Sequence, residues 1–210
     1  MFLLSLYNIL IPILGMAWLV PSEAFFFVLA ALYYIGRVRV HVFRWFFIAL
    51  VVLLLLRAAL RILFQYVLFR SSLQGTYLLP PHAPMSYFLG YSFTHHLAWM
   101  LLTFASVFVI AAVLYGFSRL KRTQGRRLWQ DGEEFLFLNL MLLAGWPLVL
   151  PYVAAGLIFA VLISGVRTGM FRNQSPLNIL PAFLLLLPVV ALFRAAIISF
   201  FGLTPLVMPM

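Results

Sequence analysis

Cysteine is absent from this 210-residue chain, and acidic residues nearly so: four Asp and Glu stand against fourteen Lys and Arg. The first absence removes disulfides, thiolate metal ligands and cysteine nucleophiles. The second confines any chemistry that needs paired carboxylates to a handful of positions. Charge of either sign is scarce, at 9% of residues, where soluble domains carry about 25%. So few charged side chains cannot coat a soluble particle of this size. In their place, 66% of residues are hydrophobic and the mean hydropathy is +1.12. Disorder, coiled coil, collagen and a secreted disulfide scaffold are excluded. The composition predicts an all-α, polytopic transmembrane helix bundle, a single integral membrane domain over residues 1–210.

The net charge is +10. Basic residues of membrane proteins gather in cytoplasmic loops and face anionic lipid. The expected partner is therefore a bilayer with anionic lipids at its cytoplasmic face, joined by other membrane proteins, and not nucleic acid. The expected location is the cytoplasmic (cell inner) membrane, crossed several times.

Apolar runs predict seven spans, near residues 2–20, 23–36, 45–69, 96–117, 134–149, 151–166 and 177–201. The first lacks a basic leader and an Ala-x-Ala signal, so it reads as a retained helix rather than a signal peptide. Pro21-Ser22-Glu23 breaks it, with Ser22 suited to cap the next helix. A polar stretch near Tyr87–Phe93 reads as interfacial, ahead of the span at 96–117. Gly145-Trp146-Pro147 and Pro151 divide the following run in two. Basic segments at Arg37–Arg44, in the loop 118–133 and at Arg167–Arg172 must all face the cytoplasm. Two spans separate each from the next, so the parity is consistent. The N-terminus is then inside and the C-terminus outside.

Candidate chemistry is sparse. Asp131, Glu133 and Glu134 form the one acidic cluster, at the start of a helix. They complement the helix dipole there, and they are the candidates for catalytic acids. His95-His96 point about 100° apart on a helix and cannot grip one ion together, so no metal site is expected. The chain has no Gly-rich phosphate loop and no Gly-x-Ser-x-Gly elbow, and no cofactor is expected.

From Asp131 to about Phe193 the chain resembles the C-terminal half of type IV prepilin peptidases, the intramembrane aspartyl peptidases. The resemblance lies in Gly132-Glu133-Glu134, Gly145-Trp146, Ala154-Ala155-Gly156 with Gly165, and Ser175-Pro176 with Pro181. It implies a membrane helix bundle and a cytoplasmic acidic site. It also carries departures. Where the family has Gly-x-Gly-Asp, this chain has Gln130-Asp131-Gly132-Glu133. The family's second aspartate has no counterpart, because Glu23 is the sole earlier acid and the topology sets it at the opposite face. Aspartyl proteolysis needs two close carboxylates. The resemblance therefore implies the fold without the activity.

Arg57 and Arg61 lie within an apolar run and share one helix face. An intramembrane arginine costs about 2.5–3.5 kcal/mol on insertion scales, so both should point into the bundle. Glu23, Arg61 and Arg194 fall at similar expected depth. Glu23 is expected to pair with Arg61 or Arg194, Arg61 being the nearer in sequence. Arg57 is left to carbonyls, hydroxyls or a bound anion. The expected function is that of a non-catalytic multi-pass membrane protein, a degenerate prepilin peptidase-like component of a membrane assembly. The alternatives are a membrane-embedded hydrolase using residues 131–134, and a small transporter or anion- or lipid-binding protein using the arginines.

Overall fold

A computed structural model describes residues 19–123, 133–171 and 179–203. The expected first span at 2–20, apart from Leu19 and Val20, lies outside the described residues, as do Asp131 and Gly132. Within them all regular structure is helical. The order is α1 (Leu19–Tyr34), α2 (His41–Ser71), the single turn α3 (Leu73–Thr76), α4 (Met85–Ser92), a π-helical turn (Phe93–Leu97), α5 (Ala98–Thr123), α6 (Glu134–Ala144), α7 (Val149–Phe171), α8 (Leu180–Leu192) and α9 (Arg194–Phe200).

Among the described residues, three helices are long and apolar enough to cross a membrane: His41–Ser71, Met85–Arg119 and Val149–Val166. The bent pair α8–α9 adds a fourth if counted as one span. α2, at 31 residues, is about 46 Å long against a hydrocarbon core of about 30 Å.

The turn that follows α1 is set by Gly36. Its φ of +79° is the left-handed region that glycine enters without strain. The Gly36 amide donates to the Tyr33 carbonyl at 2.9 Å, and the Arg37 amide to the Leu32 carbonyl at 2.9 Å. This pair of bonds is a Schellman cap, which satisfies the last carbonyls of α1. It directs the basic segment Arg37–Arg44 around a tight corner into α2.

α6 is the centre of the bundle. Leu136, Phe137, Leu140, Met141, Leu142, Leu143 and Ala144 are all buried. A helix apolar on every side must be enclosed by others, and α1, α2, α5, α7 and α8 all pack on it. Aromatic rings lock the enclosure. Phe47 of α2 meets Phe135 at 5.8 Å, and Phe137 meets Phe183 of α8 edge-on at 5.1 Å. Tyr152 of α7 meets the same Phe183 ring at 5.5 Å, and its hydroxyl donates to the Phe183 carbonyl at 2.7 Å. Gly156 lies directly beneath that ring: a Cβ there would fall 2.5 Å from it.

Several expected boundaries move. α1 includes Leu19 and Val20, ahead of Pro21, so Pro21-Ser22-Glu23 is not a helix end. No separate interfacial segment precedes residue 96. The chain is one helix from Met85 to Arg119, and the π turn absorbs the polar stretch without a break. The loop expected at 118–133 begins later, because α5 continues to Thr123. The break after α6 falls at Gly145–Leu148, where Gly145 has φ +67°, and Pro151 sits inside the first turn of α7. Proline is tolerated there because first-turn amides lack helical acceptors. α6 is consequently 11 residues, about 16 Å, and does not reach across a hydrocarbon core by itself. The expected last span at 177–201 is bent by 88° between Leu192 and Arg194.

Candidate functional site

Among the described residues, two polar places in the apolar interior lie at opposite ends of α1. The first is built where α1 ends and α6 begins. Glu133, just ahead of α6, is 1% exposed, and its Oε1 accepts from the Tyr33 hydroxyl at 3.1 Å. Two turns along, the Asn139 amide donates to the Phe43 carbonyl at 2.8 Å. These bonds fasten α6 to both helices that flank the basic corner at Gly36. Glu133 and Arg37–Arg44 thus share one end of the bundle. Glu134 is half-buried on another face of α6. It lines an apolar cavity of about 280 Å³ with Phe108, Ala111, Ala112, Tyr115, Phe137 and Leu138. Glu133 and Glu134 therefore point to different surroundings.

The second place is the arginine cluster. Glu23, near the start of α1, is buried, and Arg194 Nη2 donates to its Oε1 at 2.7 Å. Arg194 opens α9 immediately after the 88° bend. The expected pairing of Glu23 with one of two arginines is present, and the partner is Arg194 and not Arg61, the one preferred from sequence. The bend carries Arg194 in beside α1. Arg57 is buried, with its guanidinium 6.0 Å from the centre of the Trp99 ring, a cation–π contact. Arg61 is half-buried on the same face of α2. Arg57 lies within electrostatic reach of both Arg61 and Arg194.

The histidines separate as the helix geometry requires. The His95 ring stacks on Tyr91 at 4.0 Å, and its Nδ1 lies 2.9 Å from the Tyr91 carbonyl oxygen. His96 turns inward instead. Both its ring nitrogens are buried without a hydrogen-bond partner, as is the Ser92 hydroxyl. Among the described residues no three His, Asp or Glu side chains come together in a way that could hold a metal ion.

Sequence reasoning did not single out Tyr33, Ser92, Trp99 or Asn139. Asn139 had a visible signal, one amide inside Phe135-Leu136-Phe137-Leu138 and Leu140-Met141-Leu142-Leu143. Tyr33 had none, being one tyrosine of an adjacent pair. No protein family matches the chain, nor does any curated protein or solved structure.

Proposed function

We propose that this protein is a non-catalytic, multi-pass membrane protein that acts as a component of a membrane assembly, with a degenerate prepilin peptidase-like stretch over residues 131–193. In this reading the chain has seven spans, with the N-terminus in the cytoplasm and the C-terminus outside. The membrane is the cytoplasmic one, and anionic lipid lies against the basic corners.

The observation that carries the proposal is the condition of Glu133. This is the acid that stands where the peptidases have an aspartate. It is enclosed and accepts the Tyr33 hydroxyl, so it ties α1 to α6. A catalytic carboxylate has to share a proton with a second carboxylate and hold water between them. Glu134, its neighbour, faces a separate apolar cavity.

The short α6 does not disturb the proposed topology. Phe137 and Tyr152, on the two arms of the α6–α7 hairpin, meet one Phe183 ring, so the chain folds back at Gly145–Leu148. Whether or not the corner reaches the far surface, α7 returns toward the face that α6 left. The proposed topology keeps Arg167–Arg172 with Arg37–Arg44 on the cytoplasmic side.

The test is incubation of the purified protein with a prepilin-like substrate. The substrate is expected to remain intact. Cleavage that disappears in Glu133→Gln would overturn the proposal in favour of a membrane-embedded hydrolase.

A further inference from the structure

The Met85–Arg119 helix and α2 run antiparallel. Tyr66 and Phe69, late in α2, meet Phe88 at 5.5 and 5.8 Å, while Arg57, further back, meets Trp99. The Arg119 end therefore lies beside the start of α2. Phe47, in the second turn of α2, meets Phe135 at 5.8 Å, so α6 starts at that same end. Glu134 and Arg119 thus share the end of the bundle that carries the basic corner at Gly36.

The apolar cavity of about 280 Å³ lies between α5 and α6 at this end. Its α5 wall is Phe108, Ala111, Ala112 and Tyr115, at the three- and four-residue spacing of one helix face. The small side chains of the two alanines leave the space that Phe137 and Leu138 of α6 do not fill. Arg119 is the next residue on the stripe, four beyond Tyr115. From Arg119 back to Phe108 is eleven residues, about 16 Å, close to half of a hydrocarbon core about 30 Å thick. The stripe therefore has the length of one leaflet. Phe108, Val109, Val113 and Tyr115 are exposed, so the cavity opens sideways, where acyl chains lie. Its volume is just below the range of about 300–1,000 Å³ that encloses a drug-sized ligand, and suits part of one hydrocarbon chain.

The wall holds one charged group. Glu134 is half-buried, and among the described residues no hydrogen bond or ion pair engages its carboxylate. A carboxylate partly withdrawn from water is stable only with donors to replace the water. Arg119 is exposed and likewise has no ion pair among the described residues. Its guanidinium fork matches phosphate oxygens two at a time. The stripe thus presents an anion acceptor, an anion donor and an apolar slot, the three parts of a zwitterionic lipid.

We infer that this cavity binds an aminophospholipid of the phosphatidylethanolamine class. The primary ammonium donates to Glu134, the phosphate lies against Arg119 and the Tyr115 hydroxyl, and an acyl chain enters the slot beside Ala111, Ala112 and Leu138. A primary ammonium brings three N–H donors and a compact charge. A quaternary ammonium brings charge without a donor, and a glycerol headgroup sets a second anion beside Glu134 without a cation.

The inference rests on the multi-pass reading but not on the absence of catalysis. The full-length protein, purified in a neutral detergent, is melted with phosphatidylethanolamine, phosphatidylcholine or phosphatidylglycerol of identical chains. Bound lipid is counted after gel filtration. Phosphatidylethanolamine is expected to co-elute and to raise the melting temperature by several degrees, and the other two are not. Glu134→Gln keeps the shape of the side chain and is expected to weaken phosphatidylethanolamine binding about tenfold, the loss of one charge-assisted bond. Ala112→Phe fills the slot at an exposed helix position, so it spares the core and is expected to abolish binding. The inference is overturned if phosphatidylethanolamine binds no better than either other lipid, or if its advantage survives in either variant. A chain released from membranes without detergent would contradict the multi-pass reading instead.

Discussion

Neutralising Glu23 tests how the bent end of the bundle is held. Arg194 Nη2 donates to Glu23 Oε1 at 2.7 Å, and Glu23 is 5% exposed while the Arg194 side chain is 20% exposed. With charge centres near 4 Å and an effective dielectric near 20, the attraction is about 4 kcal/mol. Breaking a buried pair by removing one partner costs about 3–5 kcal/mol, because the other charge stays behind. The partial exposure of Arg194 favours the lower end, so Glu23→Gln should cost about 3 kcal/mol. For a chain of this size that is roughly 6–12 °C of melting temperature. Removing both charges, in Glu23→Gln with Arg194→Met, should recover much of the loss, since a buried pair replaced by apolar groups is often neutral. The assay is thermal unfolding in detergent, run as a double-mutant cycle. A coupling below about 0.5 kcal/mol, or a Glu23→Gln shift of less than 2 °C, would refute the pairing as a structural tie.

Tyr33→Phe should destabilise by about 1.5–3 kcal/mol, the range for a hydrogen bond to a charged group; equilibrium unfolding checks this. Gly156→Ala should cost about 1–3 kcal/mol, because the new methyl falls 2.5 Å from the fully buried Phe183 ring, which must shift to admit it. A melting temperature unchanged in Gly156→Ala would contradict the close approach of α7 and α8.

Composition and hydropathy were enough to read an all-helical chain with apolar helices of membrane-crossing length, because burial in lipid leaves a signal at every residue. α2 and α7 lie close to where their apolar runs predict them. Punctuation was less legible. Pro21 was read as an interruption, yet it lies within α1. Pro151, expected to open a helix, sits in the first turn of α7, and Pro181, expected within the last span, lies at the start of α8, positions where a missing amide is harmless. The π turn at Phe93–Leu97 leaves no compositional mark; that His95 and His96 point apart follows from helix geometry, but not that one faces Tyr91 and the other the interior. The partner of Glu23 was constrained by depth alone. Depth is one coordinate, computed from helix rise, whereas lateral position depends on the 88° bend at Phe193, which no local residue pattern announces. The acidic cluster was visible as a cluster. That Glu133 would be enclosed by Tyr33 depends on a contact across a hundred residues.

The absence of cysteine makes the most direct test straightforward, since single cysteines can be introduced without background. Cysteines at Pro81 and Gly125 bracket the Met85–Arg119 helix, and a membrane-impermeant maleimide reports which side each occupies. The topology proposed here has the Pro81 position labelled in intact cells and the Gly125 position labelled only after the membrane is opened. Labelling of both positions from the same side would contradict it.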